Sequence, residues 1–155
     1  MKKYIVYIII VVVVLFITTG CNLKTNSINK PSKNKIIDKV DEEIDSMKVI
    51  IDSKEYKMNL EDNETVKAFI KLLPKTWKMN ELNGNEKYVY LSSTLPVNSK
   101  KPVKINKGDV MIYTDDCLVI FYKSFETNYS YTKIGYIENL PDLGNSDIEV
   151  EFIKN

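Results

Sequence analysis

The sequence predicts a small, mainly β protein: one closed or nearly closed barrel with a single clear α-helix. Three observations predict it. Residues 47–155 hold several short segments in which apolar and polar residues alternate, as they do in half-buried strands. Turn-forming Gly, Asn and Asp residues separate these segments, and only one stretch shows clear helical spacing. Closing the sheet would remove the exposed edges that six to eight short strands otherwise leave.

The domain opens on a predicted β-hairpin and a helix. Apolar and polar residues alternate over 47–51 and again over 56–60, on either side of a short turn. Apolar residues then recur at i, i+3, i+4 and i+7 between residues 63 and 73, which predicts one helix with one apolar stripe. Asp62 or Asn63 can cap its N-terminus, and Pro74 stops it.

The remainder predicts mostly β structure. Strands are predicted over residues 87–91, 109–113, 117–122, 131–137 and 148–152, with a long surface loop over 92–108 and one helical turn over 139–143. In the strand at 131–137, Tyr131 and Lys133 share one face. Ile134 and Tyr136 share the other, which we expect to fill the barrel. Cys117 opens an apolar run and is predicted to be an inert core cysteine.

The first residues have the layout of an export signal. Lys2 and Lys3 precede an apolar run of 14 residues, which as a helix is about 21 Å long, too short for a hydrocarbon core of about 30 Å. Thr18-Thr19-Gly20-Cys21 resembles a bacterial lipobox, apart from Thr18, where an aliphatic residue is usual. The resemblance implies a lipoprotein signal peptide over residues 1–20, cleaved before a lipidated Cys21. A plain signal peptide or an uncleaved anchor is the alternative.

Residues 21–46 are predicted to be a flexible tether between the lipid and the barrel. They are rich in Asn, Lys, Ser and Asp and hold few large apolar side chains. The expected location is the extracytoplasmic face of a bacterial cell membrane, with the lipid anchor as the membrane contact.

Composition excludes several classes of chemistry. The chain has no histidine and no arginine, so His-based catalysis, His-ligated metals and bidentate arginine recognition of anions are all unavailable. From Asn22 onward 20 lysines face 21 acidic residues, a net charge of −1, which does not indicate nucleic-acid binding. Neither a cofactor nor a metal is expected, and the predicted oligomeric state is a monomer.

The order of segments resembles the bacterial cyclophilin-like domain family. The resemblance runs collinearly from about Met47 to Phe152 through DNETVKAFIKLLP, ELNGNEKYVYL, GDVMIY, CLVIFYKSF and YSYTKIGYI. It implies a small cyclophilin-like β-barrel. Cyclophilins isomerise X-Pro bonds with an arginine, and Lys133 in YTKIG stands where the family pattern is expected to prefer arginine. The resemblance therefore implies the fold without the side chain that the chemistry requires.

Two groups of residues are candidates for ligand binding. The first is the polar loop of Glu81, Asn83, Glu86 and Lys87, which a tight turn with solvated carboxylates would also explain. The second is an aromatic wall with an adjacent lysine, although ordinary packing would also explain its rings. Its members are Trp77, Tyr88, Phe125, Tyr129, Tyr131, Lys133 and Tyr136. We expect a binding module for a peptide segment or small molecule. The alternatives are a divergent prolyl isomerase using Lys133, or an accessory to a flavin-dependent redox system, since some family members are joined to flavodoxin-like domains.

Replacing Cys21 with alanine should abolish lipid attachment, because the cysteine sulfur is the acceptor of the diacylglycerol group. Metabolic labelling with palmitate measures this directly. Equal labelling of the wild type and the Cys21→Ala variant would show that the lipoprotein interpretation is wrong.

Overall fold

The computed structural model describes residues 44–155, which hold eight strands and one helix. The predicted signal peptide, Cys21 and all but the end of the tether lie outside the described residues. Between residues 44 and 155, no helix is long and apolar enough to cross a membrane. The elements are β1 (Ser46–Ile51), β2 (Lys54–Leu60), α1 (Glu64–Ile70), β3 (Lys75–Leu82), β4 (Glu86–Tyr90), β5 (Asp109–Tyr113), β6 (Cys117–Phe121), β7 (Tyr131–Ile137) and β8 (Ile148–Lys154).

The strands form a closed antiparallel barrel in the order β1-β2-β7-β5-β6-β4-β3-β8. Strand β8 closes it, because it pairs with β1 on one side and with β3 on the other. Each strand therefore has two hydrogen-bonded neighbours, and the sheet has no free edge. The predicted mainly β barrel with one clear helix is confirmed.

The first hairpin follows from its turn residues. Ile51 pairs with Lys54, which leaves Asp52 and Ser53 as a two-residue turn with φ of 49° and 63°. Positive φ at both positions is the type I′ geometry, whose twist matches that of the flanking strands. The predicted hairpin is confirmed.

Helix α1 begins at the predicted cap. The Asn63 side chain accepts a hydrogen bond from the Val66 backbone N–H at 2.9 Å, and Phe69 is completely buried. The helix ends at Ile70, three residues earlier than predicted. Residues 71–73 continue as a tighter turn, in which each backbone N–H bonds to the carbonyl three residues before it. The ring of Phe69 lies 6.0 Å from that of Trp77 and 5.5 Å from that of Phe152, so the helix closes one part of the barrel.

Two predictions about local structure fail. Strand β3 was not predicted, because Trp77 and Met79 are the only large apolar residues on its inward side and their neighbours in the strand are polar. The helical turn predicted over 139–143 is wrong, since no helix forms there. Leu140 is buried and precedes Pro141, and a residue before proline is disfavoured in the helical region.

A β-bulge in β7 changes which residues face the core. Val110 pairs with Gly135 but Met111 pairs with Lys133, so Ile134 is an extra residue without an opposite partner. Ile134 is fully buried, as predicted. The prediction that Tyr136 fills the barrel is wrong, because beyond the bulge the alternation shifts and Tyr136 is 38% exposed.

Two apolar layers lie on opposite sides of the sheet. The inner core fills the barrel and contains most of the buried residues. A second, outer cluster lies on the outside of β4, β5, β6 and β7 and consists of Ile105, Met111, Cys117, Val119, Phe121 and Tyr131. The loop predicted over 92–108 covers part of it, held by backbone bridges from Lys100 to Tyr131 and from Ile105 to Phe125. Cys117 is therefore buried as predicted, but on the outer side of the barrel wall.

Replacing Phe69 with alanine should lower the free energy of unfolding by about 3–5 kcal/mol, because a fully buried ring between two other aromatic rings is lost. Chemical denaturation measures this. Lys71→Ala, at an exposed position two residues further along the chain, is the control and should change stability by less than about 0.5 kcal/mol. Equal effects of the two substitutions would contradict the packing of this helix face.

The burial of Cys117 should make the fold sensitive to alkali. Burial, with a smaller effect of the Asp116 charge, raises the pKa of the thiol from 9.0 to about 11. Between pH 9 and 11 the unfolded chain releases this proton while the folded chain keeps it. Stability contributed by the protonated thiol is therefore complete below pH 9 and is lost as the pH rises, by about 2–3 kcal/mol.

The measurement is the free energy of unfolding against pH for the wild type and the Cys117→Ala variant. Titrating groups other than Tyr90, whose pKa Cys117 raises, are common to both proteins and cancel in the difference. The difference should be constant below pH 8 and should shrink between pH 9 and 11. A difference that stays constant over the whole range would contradict a buried, neutral thiol.

Candidate functional site

The register of β3 and β4 separates the residues of the predicted polar loop. Glu81 pairs with Lys87, and Lys87 pairs with Ile120 of the inner core, so these side chains point into the barrel. Glu86 pairs with Phe121 of the outer cluster and points outward. Asn83 lies in the turn between the strands with a φ of 56°. Residues that are close in sequence therefore belong to two different surfaces.

Lys87 is held completely inside the barrel. Its Nζ atom donates hydrogen bonds to the carbonyl oxygens of Gly144 at 2.6 Å and of Ser146 at 2.7 Å. The same atom lies 4.8 Å from the centre of the Tyr122 ring. Burial lowers the pKa of Lys87, and nearby carboxylates, Glu81 first among them, act in the opposite direction. These contacts tie the segment before β8 to the barrel, which is a structural use of the ammonium group.

Glu81 closes the same end of the barrel. Its Oε1 atom accepts hydrogen bonds from the Gly84 backbone N–H at 2.5 Å and from the Tyr122 hydroxyl at 3.2 Å. Burial, followed by the hydrogen bond to Glu81, raises the pKa of Tyr122 to about 12. Asn85 Oδ1 is buried here without a hydrogen-bond partner among residues 44–155. The polar groups of Glu81, Lys87 and Tyr122, in contrast, bind one another or the backbone.

The outer side of the sheet carries a different set of residues. Cross-strand pairing places Tyr90 of β4, Cys117 of β6, Tyr113 of β5 and Tyr131 of β7 side by side in one row. Tyr88 lies two residues before Tyr90 on the same face of β4. Together with Tyr129, which precedes β7, these tyrosines form a surface that we call the tyrosine face: Tyr88, Tyr90, Tyr113, Tyr129 and Tyr131.

Rings of the tyrosine face contact each other. The Tyr113 ring centre lies 5.8 Å from that of Tyr129 and 5.5 Å from that of Tyr131, and the centres of Tyr88 and Tyr90 are 5.9 Å apart. Tyr90 is 64% exposed and Tyr129 is 63% exposed, whereas Tyr131 is only 8% exposed. Tyr90 therefore contacts the half-buried Tyr88, and Tyr129 contacts Tyr113, which packs on the buried Tyr131. These rings offer apolar bodies and hydroxyl groups next to one another.

The predicted aromatic wall is only partly assembled. Tyr88, Phe125, Tyr129 and Tyr131 belong to the outer side of the sheet. Trp77 instead packs against Phe69 and Phe152 at the helix. Tyr90 and Tyr113 were not among the predicted residues, although the two-residue spacing of Tyr88 and Tyr90 places both on one face of a strand.

Lys133 is bound by carboxylates. Its Nζ atom lies 2.9 Å from Asp109 Oδ1 and 3.9 Å from Glu61 Oε1. Asp109 is 1% exposed, and its other oxygen accepts a hydrogen bond from the Asn106 backbone N–H at 2.8 Å. Lys133 therefore neutralises a buried carboxylate.

Glu86 lies on the outer side of the sheet and, unlike Asp109, has no lysine from the described residues paired with it. Its side chain is half-buried, and no hydrogen bond or ion pair to it occurs among residues 44–155. Burial raises the pKa of the Glu86 carboxyl group, and the like charge of Glu81 adds to this. Its own charge in turn raises the pKa of Tyr131, after the larger effect of burial.

A separate cleft of about 1040 Å³ lies beside the helix. Leu60, Glu61, Asn63 and Val66 are among the residues that line it, and none of the predicted ligand-binding residues does. This cleft gives a second place against which binding to the tyrosine face can be compared.

A solved structure and a family model are similar to this chain. The solution structure of the hypothetical protein AF2241 from Archaeoglobus fulgidus is 21% identical and has a TM-score of 0.48, over 71% of this chain and 94% of that chain. No curated protein matches the sequence. Residues 49–152, from within β1 to within β8, match the model of the Cyclophilin-like family. This match covers well over half of the chain, and the protein belongs to the Cyclophilin-like family.

Proposed function

We propose that this protein is a lipid-anchored, extracytoplasmic binding module that holds an extended peptide segment against its tyrosine face. The observation that carries the proposal is the row of tyrosines on one rigid sheet, with Tyr90 and Tyr129 more than half exposed. Surface tyrosines arranged in contact with each other are a common means of holding a peptide, because each ring combines apolar area with a hydroxyl group.

The rigidity of the sheet favours binding. Tyr113 lies between Tyr129 and Tyr131, so its ring is constrained before any ligand arrives. Side chains that are already ordered lose less conformational entropy on binding, which leaves more of the contact energy as affinity. Extended and proline-containing segments suit such a surface, because they are themselves stiff and dock on aromatic-lined grooves.

The proposed location rests on the N-terminal sequence. Lys2 and Lys3, the short apolar run and Gly20-Cys21 favour export and lipidation. A tether over residues 21–46 would let the barrel reach segments of other surface proteins at some distance from the lipid.

Prolyl isomerisation is the weaker alternative. Its barrier of about 18–20 kcal/mol falls only if a positioned donor stabilises the twisted amide. The chain has no arginine, and Lys133 is already paired with Asp109. The proposal that the protein assists a flavin-dependent system has no support from contacts of the described residues.

Titration of the ¹⁵N-labelled full chain, in detergent micelles, with an alternating Ala-Pro peptide of about eight residues tests the proposal. Chemical shifts should move at Tyr90, Tyr113 and Tyr129. Tyr90→Ala should weaken binding about tenfold, because the most exposed ring of the tyrosine face is lost. Tyr136→Ala is the matched control, since it removes a partly exposed tyrosine outside the tyrosine face and should leave affinity unchanged.

Chemical-shift changes confined to residues that line the cleft beside α1 would show that the peptide does not bind to the tyrosine face. The same spectra report cis–trans exchange of the peptide, and we expect no acceleration. Exchange enhancement that disappears in Lys133→Ala would replace the binding module with an isomerase.

A further inference from the structure

We propose that the peptide held on the tyrosine face carries a basic side chain, and that Glu86 binds its ammonium or guanidinium group. This inference rests on the proposed function and adds the chemical class of the ligand. It starts from the position of Glu86 as the first residue of β4, where its side chain points to the outer side of the sheet.

The neighbours of Glu86 are apolar on both sides. On β3 its cross-strand partner is Leu82, which is 42% exposed, and on β6 its partner is Phe121 of the outer cluster. Two residues further along β4 lies Tyr88. A carboxylate among apolar side chains loses hydration without gaining a compensating contact, which destabilises its charged form.

No lysine of the described part of the chain compensates this charge. The contrast with Asp109 is informative, because that buried carboxylate pairs with Lys133 at 2.9 Å and accepts a backbone hydrogen bond. Glu86 has neither kind of contact among residues 44–155, and the charge of Glu81 acts on it repulsively. A cation supplied by a ligand would neutralise the Glu86 carboxylate and form a charge-assisted hydrogen bond with it.

Glu86 and the tyrosine face form one continuous strip. Glu86, Tyr88 and Tyr90 occupy positions i, i+2 and i+4 of β4, so all three point outward at intervals of about 6.6 Å. A polyproline II peptide rises about 3.1 Å per residue, so about four residues cover the distance from Glu86 to Tyr90, and one side chain can reach Glu86 while others lie on the tyrosines. The aliphatic stem of a lysine or arginine would pack on Leu82 and Tyr88, with the cation near a ring face and the carboxylate.

The charges around β4 also favour a basic ligand. At the other end of β4, Asp116 adds negative charge close to Tyr90, whose pKa it helps to raise after the larger effect of Cys117. Lys100 lies across the face, where its backbone pairs with that of Tyr131 on β7. A basic group is therefore best accommodated on the β4 side, beside Glu86.

The experiment compares three alternating Ala-Pro peptides of about eight residues that carry Lys, norleucine or Glu at one central position. Affinities are measured by titration with the full chain in detergent micelles. The Lys peptide should bind the wild type about tenfold more tightly than the norleucine peptide, as expected for one charge-assisted contact. The Glu peptide should bind most weakly.

Glu86→Gln keeps the size of the side chain and removes its charge, so the preference for the Lys peptide should disappear while the norleucine peptide binds unchanged. Glu149→Gln, at an exposed acidic position on β8, is the matched control and should keep the full preference. Thermal unfolding confirms that both variants are folded.

Equal binding of the Lys and norleucine peptides to the wild type would overturn the role of Glu86 but leave the proposed function standing. A Glu86→Gln variant that still binds the Lys peptide more tightly than the norleucine peptide would have the same meaning. Absence of binding by all three peptides would overturn both proposals.

Discussion

Closure of the barrel by β8 is the constraint on which the rest of the structure depends. This strand pairs with β1 and with β3, and without it both would be exposed edges. Its inward residues Val150 and Phe152 are fully buried, and Phe152 contacts both Phe69 and Trp77. The last strand therefore joins the two ends of the sheet to the helix, so the barrel and the helix stabilise each other.

Once closed, the barrel holds a sheet rigid enough to carry apolar residues on its outer side as well. The outer cluster excludes water from Cys117 and Tyr131 because the loop over 92–108 folds back on it. Beyond the edge of this cover, Tyr90 and Tyr129 remain exposed. The proposed binding surface is thus the uncovered part of a layer whose covered part stabilises the fold, which explains how exposed rings are held in fixed positions.

Two buried or half-buried lysines have partners within the fold, and Glu86 has none among the described residues. Lys87 binds backbone carbonyl groups inside the barrel, and Lys133 neutralises the buried Asp109. Both lysines stood out in the sequence as ligand-binding candidates, and both have structural partners. Glu86 is half-buried, has no partner in the described part of the chain and lies beside the tyrosine face, which is why it, rather than either lysine, directs the inference about the ligand.

The sequence by itself determined the fold class, the first hairpin, the capped helix and most strands, because alternation and turn residues are local properties. It could not identify β3, whose few apolar residues become meaningful only when β8 and β4 pair with it. Tertiary structure alone decided the orientation of Tyr136, since the bulge at Ile134 follows from how β7 fits against β5. Only the tertiary structure places Lys87 inside the barrel and Glu86 outside it. The direction in which the sheet closes determines which face of β4 points inward.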